Sequence, residues 1–501
     1  MQNSNNSKKK LLKNTIFSSG GYTVTSIIMF LTIPYLIKKL GTEVYGIYVL
    51  LTSIGGYYGL LDLGLGQGIT KFIAEYNEKN ETHNIIKSIN AALLLQIVLG
   101  LSISIILVLF SDAILHFLNI SNEYYPVVKN SFFVCTIGFF FTMISGTFNA
   151  IMAGFQRYDI TSKIDVMMNI GINVSLVIVL MLGKGLFEIV CVTIGYSFVG
   201  CCVYFFFVTR QMRNTPWIFI VDIQQFKSIF QFSGFLFLSK LAGTFSTYFV
   251  RFIISSFLSP VAVTYYVVPT RLISAIGGFL MSASNAVFPY SSAINAKNNK
   301  EEIHEFFIRA TQIFLSFSFP LALFLFAFSR QILTVWVGKD FSENAWMVLS
   351  ILSFSSMIGS TSVIPNLIIM GMGNSRLIGL FSIISIILYI ILFPIFVKLW
   401  SVIGIAFAML VVSLSLISFV LHKTTTFLEL DTKYYIEKVF KIHSFPILFS
   451  ICLFFFQYFE CLNIDSVILI LFIGFILLLS YYIFLGWKNI FPLKLILSKF
   501  Y

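Results

Sequence analysis

The chain has 501 residues, 58% of them hydrophobic and 11% charged, with a net charge of +12. A soluble domain carries about 25% charged residues, so this composition excludes a soluble enzyme and implies a protein whose outside faces lipid. The positive balance does not imply nucleic acid, because the basic residues lie in short loops between apolar runs and no hydrophilic domain carries them.

Lys8, Lys9, Lys10 and Lys13 precede an apolar stretch that runs to Ile37. It exceeds a signal-peptide core of about 7–15 residues and reads as a retained first span. A span needs about 20 mainly apolar residues. Such runs occupy 14–37, 43–66, 88–110, 127–153, 160–182, 186–209, 229–257, 261–288, 305–328, 345–371, 376–397, 400–421, 442–459 and 465–486. The expected fold is an all-α polytopic membrane protein of about fourteen transmembrane helices. The shortest gaps divide 376–397 from 400–421 and 442–459 from 465–486. With the N-terminus inside, 23 of the 33 Lys and Arg fall on cytoplasmic segments, which favours both termini in the cytoplasm. No loop has room for a catalytic domain, so an enzyme is not expected. The six Cys form no CxxC and the five His no HExxH, so neither a metal nor a cofactor is expected.

The chain also repeats at an offset of 217–218. Leu40-Gly41-Thr42-Glu43-Val44-Tyr45-Gly46-Ile47-Tyr48 aligns with Leu258-Ser259-Pro260-Val261-Ala262-Val263-Thr264-Tyr265-Tyr266, Lys79-Asn80 with Lys297-Asn298, and Asn149 to Gly154 with Asn366 to Gly371. An offset of six spans keeps orientation and gives parallel repeats, with the transport path at their interface. The expected organisation is a six-helix bundle over 1–213, a second over 214–424, and two further helices with a basic tail over 425–501.

Charges inside spans mark candidate sites. Span 7 carries Lys240 and Arg251, eleven residues apart, with Thr244 and Thr247 between them on the same helical face. Span 8 carries Arg271, followed by Ser274, Gly278, Ser282 and Asn285. Arg251 and Arg271 both lie roughly 12–18 Å from the turn at Ser259-Pro260, and Lys240 about 16 Å deeper. Neither span contains an acid. Cations so placed in a partly dry cavity suit an anion, and arginine suits phosphate oxygens. The other reading is that they snorkel or pair with a distant acid such as Asp62. Asp62, near the inner end of span 2 in Leu61-Asp62-Leu63-Gly64-Leu65-Gly66, reads either as an interfacial carboxylate or as an ion-coupling site.

Lys39-Leu40-Gly41-Thr42-Glu43-Val44-Tyr45-Gly46-Ile47-Tyr48, Leu61 to Gly66, Lys71-Phe72-Ile73-Ala74-Glu75-Tyr76 and Ala153-Gly154-Phe155-Gln156-Arg157-Tyr158-Asp159 together resemble Wzx-type polysaccharide flippases. The resemblance covers about residues 10–425. It implies the multidrug/oligosaccharidyl-lipid/polysaccharide exporter fold, two six-helix bundles in a V around a central cavity. It implies a bacterial plasma-membrane protein that flips an undecaprenyl-diphosphate-linked oligosaccharide to the outer leaflet for O-antigen or capsule synthesis, coupled to H+ or Na+. Expected partners are that substrate, membrane lipids, a polysaccharide polymerase and a chain-length regulator, with no nucleic acid. Lys240, Arg251 and Arg271 would meet the diphosphate or acidic sugars. The family pattern puts an acid before the basic residue late in span 7, where this chain has Val250. Competing readings are a cation-coupled multidrug exporter, a lipid II flippase of the same superfamily, and a membrane-embedded glycan polymerase. Lipid II flippases carry charges within span 1, and nothing between Lys13 and Lys38 is charged here.

Overall fold

The computed structural model describes residues 2–56, 65–213, 244–284, 287–296 and 300–441, with residues 447, 472, 474, 476, 479 and 481. Among these residues all regular structure is helical. The first unit, Met1–Thr264, holds α1 (Gln2–Gly56), α2 (Leu65–Glu78), α3 (Thr82–Leu109), α4 (Ser111–Phe117), α5 (Tyr125–Gly154), α6 (Tyr158–Met181), α7 (Leu186–Gln211), a π turn (Phe245–Phe249) and α8 (Val250–Phe257). Helix α9 (Pro260–Ser284) begins there and runs into the second unit, Tyr265–Tyr501. That unit continues with α10 (Val287–Ala296), α11 (Lys300–Ala327), α12 (Ser329–Trp336), α13 (Lys339–Ser360), α14 (Val363–Gly371), α15 (Ser375–Phe427) and α16 (Thr432–Phe440).

Nine helices among the described residues are long and apolar enough to cross a membrane. Their outer faces leave Leu101, Ile105, Ile106 and Leu109 exposed together on α3. So much contiguous apolar surface fits lipid rather than water. Two long helices contain sharp breaks where the sequence predicts separate spans. Helix α1 breaks at Gly41 (φ 81°), between 14–37 and 43–66. Helix α15 breaks at Trp400 and Ser401, between 376–397 and 400–421. The second break is tight: a Cβ on Gly404 would overlap the Phe396 carbonyl.

The elements recur at the offset read from the sequence. Helix α3 (Thr82–Leu109) reappears as α11 (Lys300–Ala327), shifted by 218 at both ends, and the first residue of α4 reappears as that of α12 at the same shift. Helix α5 ends at Gly154 and α14 at Gly371, and both glycines pack closely on a neighbouring helix. A Cβ on Gly154 would stand 2.8 Å from Ile73 and 3.2 Å from the Thr70 carbonyl. A Cβ on Gly371 would overlap Ser291 and stand 2.7 Å from the Phe288 carbonyl. The turns beyond these glycines match bond for bond. Phe155 N–H to Ile151 O, Gln156 N–H to Ala153 O and Arg157 N–H to Met152 O recur as Met372 to Ile368, Gly373 to Met370 and Asn374 to Ile369. Gln156 and Gly373 both take positive φ there.

Repeat-related residues also meet inside the first unit. The Thr264 hydroxyl donates to the Thr42 carbonyl at 2.7 Å, and a Cβ on Gly46 would overlap the Pro260 carbonyl. In the repeat, Thr42 corresponds to Pro260 and Gly46 to Thr264. Each residue therefore touches the counterpart of the other, as in an isologous contact. Small residues permit this close crossing of helices.

The core of the second unit includes Phe307 stacked on Tyr435 at 4.4 Å, with the Tyr435 hydroxyl donating to Thr311 at 3.2 Å. Tyr435 belongs to α16, which Asp431 caps by accepting from the Lys433 and Tyr434 N–H groups.

Candidate functional site

Of the residues singled out from sequence, Lys240, Asp62 and Asn285 lie outside the described residues. Arg251 is buried at 6% exposure in the first unit. Its Nη1 donates to Ser53 Oγ at 2.8 Å, and the Ser53 hydroxyl in turn donates to the Val49 carbonyl. The guanidinium carbon lies 4.9 Å from the centre of the Tyr248 ring, a cation–π distance. The Tyr248 ring reaches this place because it packs on Gly56, where a Cβ would overlap it.

Thr244 is half-buried. Thr247 is exposed while Arg251 is buried. The chain makes a π turn over Phe245–Phe249, whose i→i+5 bonding puts more residues in a turn and rotates the helix beyond it. Arg271 is half-buried and Ser274 exposed on α9, both in the second unit.

A second polar site in the first unit is not among the residues taken from sequence. A cavity of about 610 Å³ is lined by Thr70, Asn149, Asp165, Asn169, Tyr196 and Tyr204, among others. The Tyr204 hydroxyl donates to Asp165 Oδ1 at 2.7 Å and receives a bond from Asn149 Nδ2 at 2.7 Å. Asp165 is about 10 Å along α6 from its start, inside a candidate span. Asn169 and Asn173 follow on the same face, each donating to the backbone carbonyl four residues earlier. The signal was present in sequence, as an acid and two amides four residues apart in an apolar run. An ionisable group at this position, among hydroxyl and amide oxygens, can take up a proton or a small hard cation.

The repeat provides a comparison. At an offset of 217, Asn149 corresponds to Asn366, but Asp165, Asn169 and Tyr204 correspond to Ser382, Ile386 and Leu421. The acid is therefore specific to the first repeat and is not required by the shared packing.

Comparison with known proteins agrees with this architecture. The polysaccharide biosynthesis protein family matches residues 11–295, more than half of the chain, and the MatE family matches residues 236–395. A Shigella flexneri protein named "Putative O-antigen transporter" is 23% identical over 398 residues, covering 79% of this chain and 93% of that protein. Among solved structures, the lipid II flippase MurJ in an inward closed conformation matches with a TM-score of 0.71 and 16% identity, covering 94% of this chain and 98% of that one. An inward-facing multidrug resistance transporter of the MATE family matches with a TM-score of 0.66 and 15% identity, covering 82% and 95%. At these identities the two structures share the fold alone. The chain belongs to the polysaccharide biosynthesis protein family, as a Wzx-type member of the multidrug/oligosaccharidyl-lipid/polysaccharide exporter superfamily, and is a transporter rather than an enzyme.

Proposed function

We propose that the chain flips an undecaprenyl-diphosphate-linked oligosaccharide from the inner to the outer leaflet of a bacterial plasma membrane by alternating access. Beyond family membership, the observation that carries this reading is Arg251, a guanidinium kept at 6% exposure beside Ser53 and Tyr248. A planar fork of donors in such a setting suits the oxygens of a diphosphate. Lys240, Arg271, Thr244, Thr247, Ser274 and Asn285 complete the proposed substrate path.

The proposed architecture has fourteen spans. Two six-helix bundles, 1–213 and 214–424, form a V around a central cavity, two helices follow in 425–501, and both termini are cytoplasmic. The recurrence of elements near an offset of 218 supports the paired bundles. Coupling is to H+ or Na+, with Asp165 as the carboxylate that binds the ion and Asp62 as a second candidate. A polysaccharide polymerase and a chain-length regulator are the proposed partners downstream.

The Asp165 cluster also fits a second reading, a cation-coupled multidrug exporter. One experiment separates them. A strain lacking the gene is complemented with the wild type or Arg251→Gln, then assayed for surface polysaccharide, lipid-linked intermediates and drug susceptibility. The flippase reading expects loss of surface polysaccharide and accumulation of intermediates in the deletion and in Arg251→Gln. Undiminished surface polysaccharide in the deletion, with altered drug susceptibility, selects the second reading.

A further inference from the structure

Where α6 and α7 meet near Arg157, the first unit has an open groove of about 690 Å³. Its rim carries Arg157, Lys163 and Arg210, and its wall includes Ile160, Met167 and Phe207. Arg157 is held in place by Asp159 at 3.1 Å and donates to Gln211 at 3.3 Å. Three cations thus face one carboxylate on this rim. Lys163 and Arg210 come from facing helices, Lys163 early in α6 and Arg210 in the last turn of α7. Met167, one turn further along α6 than Lys163, is 70% exposed. The groove is cationic at the helix ends and apolar along the spans.

The cations are not demanded by the fold of the turn. The repeat has the same backbone bonds at Gly371 to Asn374. There Arg157, Lys163 and Arg210 correspond to Asn374, Leu380 and Phe427, and the one cation, Arg376, stands in place of Asp159.

We propose that this groove is a binding site for the headgroup of an anionic phospholipid, with Arg157, Lys163 and Arg210 around its phosphate and an acyl chain along Ile160, Met167 and Phe207. Basic pockets between spans at the membrane interface bind such headgroups. The charge complementarity and the direction of the apolar wall select a lipid of the bilayer over a soluble anion, which would leave that wall uncovered.

The test uses the full-length protein purified in detergent. Thermal unfolding and lipid retention in native mass spectrometry are measured with added phosphatidylglycerol, phosphatidylcholine or inorganic phosphate. Phosphatidylglycerol should stabilise the wild type, and phosphatidylcholine and inorganic phosphate should not. Lys163→Gln and Arg210→Gln should each weaken retention roughly fivefold, while Arg376→Gln leaves it unchanged. Lys163→Leu with Arg210→Phe, which copies the residues of the second repeat, guards against simple misfolding. Equal retention of phosphatidylglycerol by this double variant and the wild type would overturn the proposal, as would equal stabilisation by inorganic phosphate. The readout needs no transport, so its failure is separate from failure of the flippase reading.

Discussion

Asp165 accepts a hydrogen bond at 2.7 Å from Tyr204, whose hydroxyl is itself bonded by Asn149. Three helices, α5, α6 and α7, therefore meet at one ionisable group of the first unit, which lies exposed on the wall of the cavity. Asp165→Asn keeps the shape and removes the charge. It should preserve folding and membrane insertion but abolish ion-coupled transport, and with it the dependence of transport on the driving ion. Export assays across a pH series and a Na+ series check this, and a retained dependence on the ion that drives the wild type would exclude Asp165 as the coupling group.

Tyr204→Phe tests the same cluster from the other side. It leaves the Asp165 carboxylate without this donor and the Asn149 amide without this acceptor. The expected cost is about 1–3 kcal/mol of stability, read as a lower unfolding temperature in detergent. Ser382→Ala, at the position corresponding to Asp165, should leave transport unchanged.

Ser53→Ala should destabilise the first unit by about 1.5–3 kcal/mol, because it takes a hydroxyl from a buried cation. Arg251→Lys should not replace arginine, since an ammonium lacks the planar fork and stacks less well on Tyr248. Export by the two arginine variants, Arg251→Lys and Arg251→Gln, compared at equal membrane abundance, checks the second point.

Gly154→Val and Gly371→Val place the same insult in two equivalent contacts, against Thr70 and Ile73 in one unit and Phe288 and Ser291 in the other. Each should cost about 1–3 kcal/mol through overpacking. Thermal unfolding of both variants should give similar losses.

The pH dependence of stability has a surface contribution of known sign. Lys300, at 2.6 Å, holds the Glu429 carboxyl below its usual range. Lys129 and Tyr125 do the same for Asp112. A depressed carboxylate contributes stability that is full above the unfolded value and is lost as pH falls through the folded value. Both groups are exposed, so the effect is small and screened by salt. Lys300→Gln should slightly reduce stability at neutral pH at low salt, and the difference from wild type should vanish in acid.

Much of the fold was legible because lipid imposes a length and a composition on each span. The division between 376–397 and 400–421, resting on a short gap, coincides with the break at Trp400 and Ser401. The repeat was readable from Asn149 to Gly154 and Asn366 to Gly371, the segments whose packing and turns coincide. The candidate site was less legible. Arg251 stood out as a charge in an apolar run, but its partner Ser53 is 198 residues away and only tertiary packing joins them. The π turn before Arg251 has no local signature. Asp165 was visible as a lone acid in span 5, and its partners lie on α5 and α7.

The crossing of Thr42 and Gly46 with Pro260 and Thr264 is symmetric in geometry and asymmetric in sequence. In a homodimer such reciprocity makes every substitution count twice, so both sides must tolerate the same residue. In this chain the two sides are encoded separately. One carries threonine and glycine, the other proline and threonine, and the closeness of a symmetric contact survives without identity. Either side can therefore be tuned alone, and a substitution that fails on one can be rescued by a matching change on the other.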